Sequence, residues 1–413
     1  MEILQDEKIH EPAARPLVSG PRMIQPPAAR KPVKKIPPEL RRKRLSYLAE
    51  KNPLKKILLR LREDSQFLRQ TIQFAFLLLC VWIGVEYYFF VQWGTSAGVS
   101  PYADRPPGAE GFLPISALIS LKYWAETGII NTVHPAGLFI LIAVLLVGFL
   151  LQKAFCSWLC PIGTLSESLH LLGRRIFGRN LTPPRWLDYP LRSLKYLLAF
   201  FFVWSVSQMD VPTLRAFVES PYNKMADVKM YLFFAQITSF ALWTIIILMI
   251  FSLFVRNFWC RYLCPYGALL GTLGWLSPFK ITRKISTCID CELCTKACPA
   301  AITVHRIGAR RSASVTGRVW SDECTSCLAC VEACPVKDTL YVGSTPVPGI
   351  HVPNVVFGLL VAGIFVAVTG MAMLTGHWRN GISQEEYLKR FKNIDSPLYE
   401  HNRGHVPRYG PED

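Results

Sequence analysis

Residues 288–335 contain Cys288-Ile-Asp-Cys291-Glu-Leu-Cys294-Thr-Lys-Ala-Cys298-Pro299 and, further on, Cys324-Thr-Ser-Cys327-Leu-Ala-Cys330-Val-Glu-Ala-Cys334-Pro335. Each run is C-x2-C-x2-C-x3-C-P, the spacing of a [4Fe-4S] ligand set. Three cysteines in a tight loop hold three irons of one cubane. The fourth, followed by proline, lies on the next element and points at the other cluster. The spacing therefore predicts one cluster on Cys288, Cys291, Cys294 and Cys334, and a second on Cys324, Cys327, Cys330 and Cys298. Zinc needs only four ligands per site and no trailing proline. Disulfides do not require eight cysteines in two identical registers.

The rest of the chain is apolar. Of 413 residues, 51% are hydrophobic, 12% aromatic and only 18% charged, which points to membrane spans in contact with lipid. The net charge is +17, but the basic residues cluster beside apolar runs, so membrane-flanking charge explains it better than nucleic acid, which is not an expected partner. Twelve of the 13 cysteines fall in paired or clustered spacings. Such thiols need a reducing compartment. Cys80 is left over in an apolar run and reads as inert packing.

Along the chain, residues 1–70 show no signal-peptide pattern and are rich in proline and basic residues, including Arg41-Arg42-Lys43-Arg44. Within them, Leu54 to Leu61 has helical apolar spacing with basic residues between, suited to an anionic leaflet. Five spans are expected: Ile72 to Phe90, Ala136 to Leu151, Leu194 to Gln208, Tyr231 to Val255 and Val355 to Met373. Phe112 to Leu121 is apolar but too short to cross, and reads as a re-entrant or interfacial helix. The expected divisions are residues 1–70, a membrane domain over 71–280, a two-cluster domain over 281–345, a last span within 350–375 and a tail over 376–413. Lys and Arg number 32 on the side holding the N-terminus and the cysteine runs, against 11 on the other. That places those elements in the cytoplasm and the tail in the periplasm of a bacterial inner membrane.

A second constellation repeats at an offset of 104 residues. Phe155-Cys156-Ser-Trp158-Leu159-Cys160-Pro161-Ile-Gly163 matches Trp259-Cys260-Arg-Tyr262-Leu263-Cys264-Pro265-Tyr-Gly267. Each copy follows an apolar run, suggesting a parallel duplication about an axis along the membrane normal. If Pro161 and Pro265 open new helices, Cys160 and Cys264 sit at helix N-termini, which lowers a thiol pKa. Four thiols brought together could hold a third cluster, a mononuclear metal or a redox disulfide.

With these motifs together, the chain resembles the membrane-bound polyferredoxins of the NapH, NosR and CcoG kind over about residues 70–375, and residues 288–335 resemble the two-cluster ferredoxin domain. The resemblance rests on Cys156-x3-Cys160-Pro161, Cys260-x3-Cys264-Pro265, the paired cysteine runs and the order of spans. It implies an all-α integral membrane bundle with a small α+β two-[4Fe-4S] insert, and membrane electron transfer involving quinol. The flavin domain of the NosR kind and the β-rich C-terminal domain of the CcoG kind have no counterpart here.

Outside the cysteines, Glu86 near the end of the first span is the candidate proton acceptor for quinol oxidation. His134, His351 and His377 flank spans, where haem or quinone binding is conceivable; His401 and His405 stand at i, i+4 in the tail. No P-loop, dinucleotide fingerprint or Ser/His/Asp set occurs. The expected function is an electron relay between the quinone pool or a cytoplasmic donor and a redox partner protein, as a quinol-dehydrogenase-like subunit. The alternatives are a cupric-reducing assembly factor for a respiratory oxidase and a redox-sensing membrane regulator.

Overall fold

The computed structural model describes residues 46–178, 181, 183–308, 316–344 and 350–400. The basic run Arg41 to Arg44 and the pair His401 and His405 lie outside the described residues. The helices, in chain order, begin with α1 (Pro53–Glu63), α2 (Ser65–Thr95), α3 (Pro114–Thr127), α4 (Pro135–Leu150), α5 (Phe155–Trp158) and α6 (Pro161–Phe177). Then come α7 (Arg185–Ser207), α8 (Val211–Glu219), α9 (Pro221–Lys224), α10 (Ala226–Ala235), α11 (Ser239–Phe254), α12 (Phe258–Tyr262) and α13 (Pro265–Leu276). In the cysteine-rich insert, β1 (Phe279–Lys284), α14 (Leu293–Ala297), β2 (Thr316–Arg318), α15 (Ala329–Glu332), β3 (Leu340–Ser344) and β4 (His351–Val352) follow. The chain continues with α16 (Asn354–Leu374) and α17 (Gln384–Lys392).

Two of these helices, α2 and α16, are long and apolar enough to cross a membrane. The third expected span lies within α7 and its C-terminal cap, and the fourth covers a bent pair. Helix α7 turns by 104° into α8, and α10 turns by 80° into α11. Tyr231 to Val255 is thus not one continuous helix, as the apolar run suggests. Gln236 ends α10 and the Thr238 side chain accepts from the Ala241 amide, capping α11 afresh. The second expected span is a 16-residue helix, α4, shorter than a straight crossing requires. Among the described residues, two helices are long and apolar enough to cross, or four if each bent pair is one span, so the five expected are not all seen as crossing helices. The short apolar run near Phe112 is helical as α3 and packs against α4 and α8.

The duplication is visible as two matching triplets, α4–α5–α6 and α11–α12–α13. They are interlocked. Helix α6 of the first copy packs on α11 of the second, and α13 packs back on α4. The approach of α6 to α11 is close enough that a Cβ on Gly173 would stand 1.9 Å from the Leu253 carbonyl oxygen. The insert forms an antiparallel sheet in the order β2-β1-β3-β4, with Ile281 opposite Val342 in its buried centre. Its core is continuous with that of the helices: Leu328, Val331 and Val342 join Leu68, Val147, Trp158 and Phe357 in one buried cluster.

At the end of α2 remote from the insert, α17 covers the helix. Phe90 meets Tyr387 edge to face at 5.1 Å, and Gly94 leaves the room that the Phe391 ring fills. Beside this lies a buried charge network. Arg105 donates to Asp227 at 2.5 Å and to Glu110 at 2.8 Å, and Glu110 also accepts from the Gly137 amide. Buried charges persist only when paired and hydrogen-bonded like this. His134 belongs to the network: Nε2 donates to the Asn223 carbonyl at 2.6 Å, and Nδ1 faces Arg105.

Candidate iron–sulfur sites

The insert turns its cysteine runs into two loops with the same backbone signature. Asp290 and Glu292 flank Cys291 with positive φ, and Ser326 and Leu328 flank Cys327 in the same way. Alternating the hand of successive residues turns backbone N–H groups into a concave nest suited to an anion. A short helix then carries each chain to its fourth cysteine: α14 to Cys298 and α15 to Cys334. The prolines that follow prevent those helices from continuing.

The loops exchange their fourth cysteines. Cys288, Cys291, Cys294 and Cys334 line one small cavity, together with Arg283, Glu292 and His305. Cys298, Cys324, Cys327 and Cys330 line another, walled by Ile281, Val304, Val319 and Leu328. The four cysteines expected for each cluster thus line a common cavity. Among the described residues, no three His, Cys, Asp or Glu side chains converge on a single ion position. Burial pushes the thiols of Cys294 and Cys298 up to about 11 and that of Cys324 up to about 12. Loading of iron would therefore release protons.

The four repeat cysteines, Cys156, Cys160, Cys260 and Cys264, lie within electrostatic reach of one another. The interlocking of the triplets explains this, because it brings the α4–α6 and α11–α13 connections together. Cys160 and Cys264 each cap a helix whose first residue is proline, and each sulfur accepts from a glycine amide, Gly163 or Gly267, at 3.4 Å. The expected acidification of these N-terminal thiols does not follow for Cys160. Burial pushes it up to about 11, and the opposing Gly163 amide is the weaker influence. Cys80 on α2 lies within electrostatic reach of Cys160.

This thiol group adjoins the second cavity. The Ser157 hydroxyl, next to Cys156, donates to the carbonyl of Thr325, next to Cys324, at 2.7 Å. The Trp158 indole donates to the Ser326 carbonyl and Gln66 to that of Cys327. On the far side, Arg69 grips Glu167 through two hydrogen bonds of 2.6 and 2.7 Å and also donates to the Ser157 carbonyl. Lys153, Lys195 and Glu323 are buried at the same junction.

The candidates outside the cysteines fare differently. Glu86 is half-buried and accepts from the Trp82 indole at 2.8 Å, about 9 Å along α2 beyond Cys80. Both ring nitrogens of His134 face protein groups in the charge network, which speaks against a haem-ligand role. His351 lies in β4 against the Tyr341 ring, and His377 contacts Thr375, so neither sits in a built site. The sequence reading missed Arg105, Glu110 and Asp227, which are scattered in loops and short helices. It also missed Lys153, whose position three residues before Cys156 was the available signal.

Comparison with known proteins agrees with the cysteine pattern. A family described as "4Fe-4S binding domain" matches residues 133–180 and again residues 237–284, the two copies of the repeat. Another, "4Fe-4S dicluster domain", matches residues 280–335. The putative electron transport protein YccM of Escherichia coli K12 is 42% identical over 321 residues, 78% of this chain and 88% of YccM. The chain belongs to the membrane-associated polyferredoxin family. Among other polyferredoxin relatives, protein NirI of Paracoccus denitrificans is 31% identical over 45% of this chain and 26% of its own. Regulatory protein NosR of Pseudomonas aeruginosa is 29% identical over 42% of this chain and 22% of its own. The chain thus spans about a quarter of those two longer polyferredoxins. No solved structure matches. The 4Fe-4S matches and the thiol-lined cavities support iron–sulfur clusters as the cofactor of this polyferredoxin.

Proposed function

We propose that this polyferredoxin relays electrons within a membrane, between the quinone pool or a donor at the insert and a redox partner protein. The carrying observation is the arrangement of thiols in three adjoining groups: the set around Cys288, the more buried set around Cys324, and the four repeat cysteines beneath it. In this reading the two crossed sets each hold a [4Fe-4S] cluster, and Cys156, Cys160, Cys260 and Cys264 hold a third centre. When bound, such clusters supply one-electron transfer.

The residues of the chain fix the rest. Hydrogen bonds from Gln66, Ser157 and Trp158 hold the Cys324–Cys330 loop against the helices. The path from Cys156 through Ser157 and Thr325 to Cys324 crosses a single hydrogen bond, giving a continuous contact for electrons. The apolar walls around Cys298 exclude water, whereas Arg283 and His305 beside Cys288 give the other set a more polar surrounding. Charge and exposure tune cluster potentials, so the two sites would differ. Helix α1 exposes Leu54, Ile57 and Leu58 between basic residues, and in this reading lies on the anionic cytoplasmic leaflet. The insert would then face the cytoplasm and α17 the periplasm.

The test is to add quinol to oxidised membranes containing the protein under anaerobic conditions and follow cluster absorbance. Bleaching sensitive to Cys324→Ser supports a quinol-fed relay. Clusters that dithionite bleaches and quinol leaves oxidised would remove quinone from the path.

A further inference from the structure

The thiol group beneath the insert has a charge beside it that its neighbours do not fully satisfy. Lys195 is fully buried and donates to Glu323, which occupies that carboxylate. Lys153, also buried, approaches the other Glu323 oxygen only at 3.9 Å, beyond hydrogen-bond distance. Its hydrogen bond goes to the Asp322 carbonyl at 3.4 Å, while the Asp322 carboxylate accepts from the Tyr196 hydroxyl. The Lys153 ammonium lies within electrostatic reach of Cys156, Cys264 and Cys260, as well as of Glu323. It also lies over the first turn of α13, 3.7 Å from where a Cβ on Gly267 would stand.

A buried ammonium needs an anionic partner. Thiolates bound to a cluster supply one, and a pair of neutral disulfides does not. One-electron reduction of a centre held there would add a further negative charge beside Lys153, with no bond made or broken, and a reduced cluster held by the Cys324 set would supply the electron. A cation held close in a poorly screened interior stabilises that charge far more than one in water does.

We propose that Lys153 sets the reduction potential of the centre held by Cys156, Cys160, Cys260 and Cys264, raising it so that the centre draws electrons from the insert. The inference rests on the third-centre reading above. Lys153 is a positioning charge here, not a ligand.

The experiment is an EPR-monitored redox titration of the purified full chain, compared with Lys153→Met and Lys153→Arg. At the parent's midpoint, Lys153→Met is expected to lower the reduced-to-oxidised ratio of the third centre at least tenfold, a shift of about 59 mV for one electron. Lys153→Arg keeps the charge and stays within that margin, and the two insert clusters keep their potentials in both variants. Three centres with an unmoved third potential in Lys153→Met overturn this inference alone. A parent chain with only two centres overturns the third-centre reading along with it. Should Lys153→Met not accumulate, Lys153→Gln preserves the donor to the Asp322 carbonyl and carries the same expectation.

Discussion

The Arg69–Glu167 pair shows how single residues hold the junction together. Burial raises the carboxyl pKa of Glu167, but the Arg69 hydrogen bonds and charge and the Gln73 amide outweigh it, leaving it below its ordinary value of 4.5. A carboxyl whose folded pKa is depressed contributes stability above its ordinary pKa and loses it as pH falls through the folded value. Thermal melts of the detergent-solubilised protein should therefore show an acid-induced loss of stability below about pH 4.5. Glu167→Gln should lower the melting temperature at pH 7 and flatten this acid limb. Equal acid limbs in the two proteins would show that Glu167 does not couple to folding. The Cys160 thiol teaches the opposite lesson. Its helix N-terminus is readable from Cys160-Pro161, but the burial that dominates its pKa comes from helices distant in sequence.

At the scale of elements, the close contact between the α5 turn and α6 depends on Gly163. A Cβ there would stand 2.2 Å from the Cys156 carbonyl oxygen, whereas a Cβ on the equivalent Gly267 would stand 3.1 Å from that of Cys260. Overpacking against backbone typically costs about 1–3 kcal/mol. Gly163→Ala should displace Cys156 and abolish the third centre's EPR signal, with Gly267→Ala milder. An unchanged third signal in Gly163→Ala would contradict this geometry. The repeat was legible in the sequence, because spacing along one chain specifies it, and so were the two cysteine-rich loops with their common pattern. The bends between α7 and α8 and between α10 and α11 were not, since hydropathy registers an apolar run without its direction. Nor was the interlocking of α6 with α11 and α13 with α4, which depends on contacts about a hundred residues apart.

For the whole molecule, the two ends carry different chemistry. The end bearing the insert concentrates twelve thiols and the buried lysines of the junction. The other end is closed by α17 and by the Arg105–Glu110–Asp227 network, whose charges are paired within the protein. That division was only partly legible, because Arg105, Glu110 and Asp227 belong to no motif. It also places the clustered cysteines towards one end of a mostly helical chain. The most direct test is the iron and acid-labile sulfide content and EPR spectrum of the anaerobically purified full chain beside its Cys298→Ser variant. The account predicts about four irons and four sulfides for each cluster. It also predicts that Cys298→Ser loses the cluster shared with Cys324, Cys327 and Cys330 while the Cys288 cluster keeps its signal. A colourless parent protein carrying zinc without sulfide, or loss of the Cys288 cluster instead, would contradict it.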